Sequence, residues 1–315
     1  MRAVATSPSS RILERVEGTV ALIEQRGYAL APLALGRVCL GGCVSEAEVL
    51  AAVARSPSLR LREGLVVGPS LLGAAPRIAR RALEHDRVAG AYLRAALRFV
   101  RTLTRLNPYI LAVSIAGSLA SGGFLETDDV DLNLVVEDGR RHLAYVAINT
   151  LALVHALRYR GKPTDVHTRR PLAPRVMSAN LILERSQCFP LARQDAAMAY
   201  ELLTSRPVHG AAWWARVVSA NPRLASHFPQ LRAPLPVPEP ERGSPLPGWL
   251  FPRLADRPAR WLGRAGWRWM QSRRRHDPEA LARVAFVRET MRPYTLFDES
   301  ADGAMSRRRR NGRSG

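Results

Sequence analysis

Two aspartates two residues apart, Asp129 and Asp131, carry the strongest chemical signal in this 315-residue chain. They open the run Val130 to Val136 (VDLNLVV), whose alternation predicts a strand, so both carboxylates project from one face. Carboxylates placed together in this way repel unless a cation neutralises them. Hard oxygen ligands of this kind suit magnesium, which takes few carboxylates and completes its shell with water and phosphate oxygens. Just upstream, Gly117-Ser118 ends a second apolar run, Tyr109 to Ala116 (YILAVSIA). Glycine lets backbone approach a ligand closely and Ser118 adds a hydroxyl. The residues after them are expected to begin a short helix whose free N–H groups favour phosphate. A metal bridging a triphosphate at such a spot would stabilise in-line displacement at the α-phosphorus.

Elements to position these residues can be read on either side. Residues 12–26 carry Ile12, Val16, Val20 and Ile23 at helical spacing, and a second apolar stretch runs from Leu30 to Leu40. Ser45 and Glu48 form a capping-box pattern that predicts a third helix, ending near Ser56-Pro57. Two short runs, Leu59 to Leu61 and Leu65 to Val67, then read as a tight hairpin. Three helices and a hairpin look like a winged helix-turn-helix. The third helix, SEAEVLAAVARSP, brings two glutamates and one arginine, poor chemistry for a DNA groove, which favours an intramolecular or protein-contact role. Residues 71–106 read as a basic helix, and strand–helix alternation follows between 109 and 203, with Leu143 to Leu157 helical and Val176 to Leu183 extended.

Charge is distributed unevenly. The chain holds 47 basic and 27 acidic residues, a net +20, and Lys162 is its only lysine. The basic excess lies in 71–107 and in the C-terminal third, leaving a nearly balanced middle that can hold functional carboxylates. Basic flanks make nucleic acid a possible partner. Cys39, Cys43 and Cys188 do not form a disulfide framework and read as structural thiols. No apolar run is long enough to span a bilayer and the first residues lack a secretory pattern, so a cytoplasmic protein is expected. Residues 232–248 hold six prolines and read as an extended arm. Beyond them Trp249, Trp261, Trp267 and Trp269 interleave with arginines, a pattern read as packed aromatics with solvated guanidinium groups.

The spacing Ile115-Ala116-Gly117-Ser118, ten residues, then Asp129-Val130-Asp131-Leu132 resembles the signature of the nucleotidyltransferase superfamily that includes DNA polymerase β, the aminoglycoside nucleotidyltransferases and the minimal nucleotidyltransferases. A longer stretch from Ser178 to Gly210, followed by Ala220 to Gln230, is similar to the region after the catalytic core in bacterial nucleotidyltransferase-domain proteins that also begin with a helix-turn-helix-like stretch. The resemblance implies a small mixed sheet and Mg2+-dependent transfer of a nucleoside monophosphate from a nucleoside triphosphate to a hydroxyl acceptor of unknown identity. Asp129 and Asp131 would be catalytic and hold the metal, while Gly117 and Ser118 would bind the nucleotide. It also implies a third catalytic carboxylate on a later strand. Asp165, within Pro-Thr-Asp-Val-His-Thr, is the candidate, although the better strand, 176–183, has no acid until Glu184. The chain departs from the pattern in one respect: Leu119-Ala120-Ser121-Gly122-Gly123 lacks the arginine that many members carry after Gly-Ser.

The expected architecture is therefore α+β. A winged-helix-like module (1–70) and a basic helical connector (71–107) precede a nucleotidyltransferase domain (108–230). A Pro-rich linker (231–248), a Trp/Arg-rich helical region (249–300) and a basic tail (301–315) follow. The alternative function is a catalytically degenerate core acting as a nucleic-acid-binding or regulatory module. A further rival is an interaction protein whose C-terminal helices recruit a partner.

Overall fold

The computed structural model describes residues 8–164, 174–233, 246–274, 277–290 and 292–297. It is a mixed α+β protein. Three helices, α1 (Pro8–Glu24), α2 (Pro32–Arg37) and α3 (Glu46–Arg55), lead into the antiparallel hairpin of β1 (Arg60–Arg62) and β2 (Leu65–Val67). The capping box at α3 is formed as the sequence predicts: Ser45 Oγ accepts from the Glu48 amide, and Glu48 Oε2 accepts from the Ser45 amide at 2.7 Å. The long helix α4 (Ala75–Leu106) then carries the chain to the main sheet.

That sheet has four strands, β3 (Ile110–Ala116), β4 (Val130–Val136), β5 (Met177–Glu184) and β6 (Arg206–His209), in the order β5-β4-β3-β6. The pairs β3–β4 and β3–β6 are antiparallel, whereas β4–β5 is parallel through the crossover helix α6 (Arg141–Ala156). A one-turn helix, α5 (Gly117–Ser121), lies between β3 and β4. After β5 come α7 (Ala196–Thr204), β6, α8 (Ala211–Ala220) and α9 (Pro222–His227), and the described chain ends with α10 (Asp256–Arg274), α11 (Pro278–Thr290) and a short irregular segment.

Alternation along β4 gives the sheet an apolar core on each face, and a smaller cluster of Ala29, Leu65, Val67, Ala75 and Ile78 joins the hairpin to α4. Val130, Leu132, Leu134 and Val136 face α4 and α6, where they join Phe99, Leu103 and Ile148. The opposite face sends Val135, with Ala112 of β3 and Leu181 and Leu183 of β5, into a core shared with α1–α3 and α7–α9. The N-terminal helices are thus packed into the same apolar interior as α7 through α9. Asn221 is fully buried there: its side-chain amide donates to the carbonyls of Cys188 and Val217, and its Oδ1 accepts from the Leu191 amide. Cys39 and Cys188 are buried free thiols, which agrees with the structural reading, and Cys43 is an exposed one. No described helix is long and apolar enough to cross a membrane. Most of the Pro-rich arm and the whole basic tail lie outside the described residues.

Helix α10 is held against α6 by a cap that comes from 114 residues away. Asp256 Oδ1 accepts from the amides of His142 and Leu143 at 2.7 and 2.8 Å, and its Oδ2 meets His142 Nδ1 at 2.7 Å. Arg140 at the N-cap position of α6 offers no capping side chain, so Asp256 supplies the missing acceptor. Burial alone would raise the Asp256 carboxyl, but the His142 ring and these two amides outweigh it and hold the acid below its ordinary range. A depressed carboxylate stabilises above its unfolded pKa and loses that contribution as pH falls through the folded value. Docking of α10 is therefore expected to weaken below about pH 4. Asp256→Ala should cost roughly 1–2 kcal/mol at pH 7 and flatten the acid limb of the thermal-stability profile, measurable by circular dichroism melts across pH.

Candidate active site

The polar end of the sheet lies where β3 ends and β4 begins. At the last residue of β3, Ala116 pairs with Asp131, and the chain then turns into α5 at Gly117 with φ of 62°. A side chain is excluded there for two reasons. The backbone is left-handed, and a Cβ would overlap Asp131 Oδ2 and stand 3.1 Å from the carboxylate carbon. Gly117 is thus the cradle of the Asp131 carboxylate.

Asp131 is only partly open to solvent. Its Oδ1 accepts from Ser178 Oγ at 2.6 Å, across the parallel pairing that puts Ser178 beside it on β5. Crowding by protein and the neighbouring Asp129 carboxylate push the Asp131 acid well above the ordinary range, against the opposing pull of Ser178 and Arg175. Asp129, its side chain 29% exposed, pairs with Arg175 Nε through Oδ2 at 3.1 Å. The two acids that alternation placed on one face therefore do lie together, with a guanidinium at the outer one.

The connecting loop is pinned from beneath. Ser118 Oγ donates to Asp128 Oδ2 at 2.9 Å, and the same oxygen accepts from the Leu125 amide and from Arg81 of α4. Arg81 also donates to the Gly123 carbonyl, and the Phe124 amide donates to His85 Nδ1 at 3.1 Å. Phe124 is fully buried against Tyr92, with ring centroids 4.9 Å apart. Lys162, the sole lysine of the chain, is buried and donates to the Asp128 carbonyl at 2.8 Å. The Ser118 hydroxyl is thus turned towards the loop's own anchor.

Deeper along the same face of β4 lies a neutral–acid network. Asn180 Nδ2 donates to Asn133 Oδ1 at 2.9 Å and to Glu201 Oε1 of α7 at 3.1 Å, and Asn133 Nδ2 donates to the same Glu201 oxygen. Arg26, just after α1, stands 3.9 Å from Glu201 Oε2, lies over the Tyr200 ring and donates to the Ala197 carbonyl. Ser114, opposite Asn133 on β3, is fully buried, and its hydroxyl has no hydrogen-bond partner among the described residues.

Of the residues singled out from sequence, Gly117, Ser118, Asp129 and Asp131 come together, and Asp165 lies outside the described residues. Glu184, at the far end of β5, accepts from the Gly139 amide and is remote from the pair. Asp128, beside Asp129 in sequence, is the hub of the loop and 13% exposed. Arg81, Arg175 and Ser178 were not singled out. Arg81 and Arg175 reach the acidic turn from α4 and from the residues before β5. Lys162 alone carried a readable signal, as one lysine among 47 basic residues.

Asp129 and Asp131 are the residues that could hold a divalent cation, and their chemistry fits one. Both are hard oxygen ligands, and burial together with the neighbouring Asp129 carboxylate disfavours the anionic form of Asp131. Among the described residues no group of three or more His, Cys, Asp or Glu is placed to hold a metal. Searches for similar proteins found no match to a family model, to a curated protein or to a solved structure.

Proposed function

We propose that this chain is an Mg2+-dependent nucleotidyltransferase with a core of the DNA polymerase β type, preceded by a winged-helix-like module. The observation that carries the reading is the closure of Gly117 on Asp131 across the β3–β4 pair, with the Asp129 carboxylate, one residue before β4, close enough to act on Asp131. Nothing in a tight turn alone requires a glycine to be moulded around an acidic side chain.

In the proposed reaction an acceptor oxygen attacks the α-phosphorus of a nucleoside triphosphate. The bond from that phosphorus to its leaving oxygen breaks, pyrophosphate departs, and the hydroxyl proton passes to a carboxylate of the site or to water. Asp129 and Asp131 would hold magnesium, which supplies Lewis-acid stabilisation of charge on the phosphoryl oxygens. Gly117 keeps the Asp131 carboxylate close to the backbone, and Ser178 orients it by donating to Oδ1. Arg175, on the exposed side of Asp129, is the cation best placed to meet an incoming polyphosphate. The N-terminal module serves within the molecule, since Arg26 joins it to α7 and to Glu201.

A second reading has one specific observation behind it. The β5 residue beside Asp131 is Ser178, not an acid, which suits a core that has lost catalysis and retains binding. One experiment separates the two. Purified protein is incubated with each α-labelled nucleoside triphosphate, Mg2+ and panels of small-molecule, protein and nucleic-acid hydroxyl acceptors. The enzyme reading expects label transfer with pyrophosphate release, abolished by chelation and restored by excess Mg2+. Triphosphate binding without release of pyrophosphate under any acceptor would favour the degenerate core.

A further inference from the structure

The sequence reading took the C-terminal tryptophans for packed aromatics, and the structure corrects it. Trp249 and Trp261 are 77% and 74% exposed, and Trp269 is 45% exposed. Only Trp267 of this group turns inward, against Phe297 at 6.2 Å between centroids. The reason is visible in the inner face of α10. Ala259 is buried, and at Gly263 an added Cβ would stand 3.0 Å from Phe297 and 3.1 Å from Tyr145. Small residues let α10 lie close on α6, Asp256 fastens its first turn, and the bulky residues are left outside.

Those outer residues are ordered. At 100° per residue, Trp261, Leu262 and Trp269 fall within one arc of about a quarter-turn of α10; Leu262 is 54% exposed, and Leu254, in the 3-10 turn just before the helix, is 70% exposed. Beside that arc run Arg257, Arg260, Arg264 and Arg268. No acidic residue follows Asp256 within the helix. An apolar stripe bordered by a cationic stripe, on a helix fixed by its opposite face, is the pattern of a helix lying in a lipid interface. Tryptophan favours the headgroup level, and arginine side chains extend from there to anionic headgroups.

We infer that α10 is a docking surface for an anionic lipid bilayer, on which the protein rests without crossing it. Charge complementarity selects this occupant, since the exposed stripe is lined by arginines in a chain of net charge +20. The leucines separate it from a nucleic-acid platform: bases stack on tryptophan, but Leu254 and Leu262 have no π-face to offer them, whereas acyl chains reward both. The chain's own last residues, with Arg307 to Arg310, carry the same sign as the stripe and are poor candidates to cover it.

The test uses the full chain with sucrose-loaded vesicles of phosphatidylcholine alone or with 30% phosphatidylglycerol. Sedimentation is expected with the anionic vesicles only and is expected to weaken as salt rises. Tryptophan emission should shift to the blue and be quenched by lipids brominated in the acyl chain. Trp261→Ser should lower partition about tenfold or more with an unchanged circular dichroism spectrum, as befits an exposed side chain. Arg257→Glu with Arg268→Glu, which keeps the apolar stripe, should remove the preference for anionic lipid. The inference is overturned if vesicles are not bound, or if Trp261→Ser binds them as well as the parent. It is equally overturned if single-stranded RNA competes fully and loses affinity with Trp261→Ser. Protection of Trp261 from acrylamide in the free protein would assign the stripe to another segment or a second copy, and would likewise sink it.

Discussion

Asp131→Asn is expected to fold as the parent does and to lose nucleotidyl transfer by roughly 10²–10³-fold, equivalent to about 3–4 kcal/mol of transition-state stabilisation. Asparagine keeps the shape and can still accept the hydrogen bond of Ser178 through its amide oxygen. What it removes is the negative charge. Because burial and Asp129 already disfavour that charge in the folded metal-free protein, its removal should leave the melting temperature unchanged or higher. Loss of turnover together with intact stability would therefore be assigned to the reaction and not to unfolding. Gly117→Ala tests the same carboxylate from the other side. Its Cβ would displace Asp131 Oδ2 while the left-handed backbone adds about 1–2 kcal/mol of strain, so activity and stability should fall together. Ser118→Ala should be milder, because its hydroxyl bonds to Asp128. Steady-state label transfer and thermal melts on the three variants check these outcomes. Full activity in Asp131→Asn would end the enzyme reading.

How much of this was readable beforehand follows from the reach of each interaction. Asp129 and Asp131 needed only the alternation of a strand that the apolar pattern marks, and the capping box of α3 needed only a three-residue spacing. Ser178 was invisible for the opposite reason. Its partnership with Asp131 spans 47 residues and depends on the parallel register of β4 and β5, which shifts by a bulge after Leu132. Arg81 and Arg175 arrive on long side chains from other elements, so no local motif announces them. Strand β6 is four residues long and contains Pro207, too short and too irregular to show as a strand. The tryptophans misled because an apolar stripe ordinarily faces a core; on α10 the close approach to α6 is made by alanine and glycine instead.

The largest effect on stability is expected far from the acidic pair, at Gly210. This residue joins β6 to α8 with φ of 62°, and its carbonyl accepts from the amides of Trp213 and Trp214 in the first turn of the helix. A Cβ there would overlap the Leu111 carbonyl oxygen and stand 2.8 Å from both Cα and Cβ of Ala112. These atoms belong to β3, the strand that β6 flanks through the Val113–His209 and Ser114–Pro207 pairs, so they cannot swing aside as a side-chain tip could. Gly210→Ala must either lift β6 from the sheet edge or shift α8, which buries Trp214 and Val217 in the core shared with the N-terminal helices. Left-handed strain of about 1–2 kcal/mol and overpacking of about 1–3 kcal/mol predict a loss of roughly 2–5 kcal/mol. Against a typical total of about 5–15 kcal/mol, the variant should unfold at much lower urea. Gly27→Ala separates the two contributions: its φ is 78°, yet nothing lies within 4 Å of the added Cβ, so it should show the strain alone. Equal urea midpoints for the two variants would show that the packing of β6 and α8 against β3 yields readily, and that the sheet edge carries less of the fold's stability than its geometry requires.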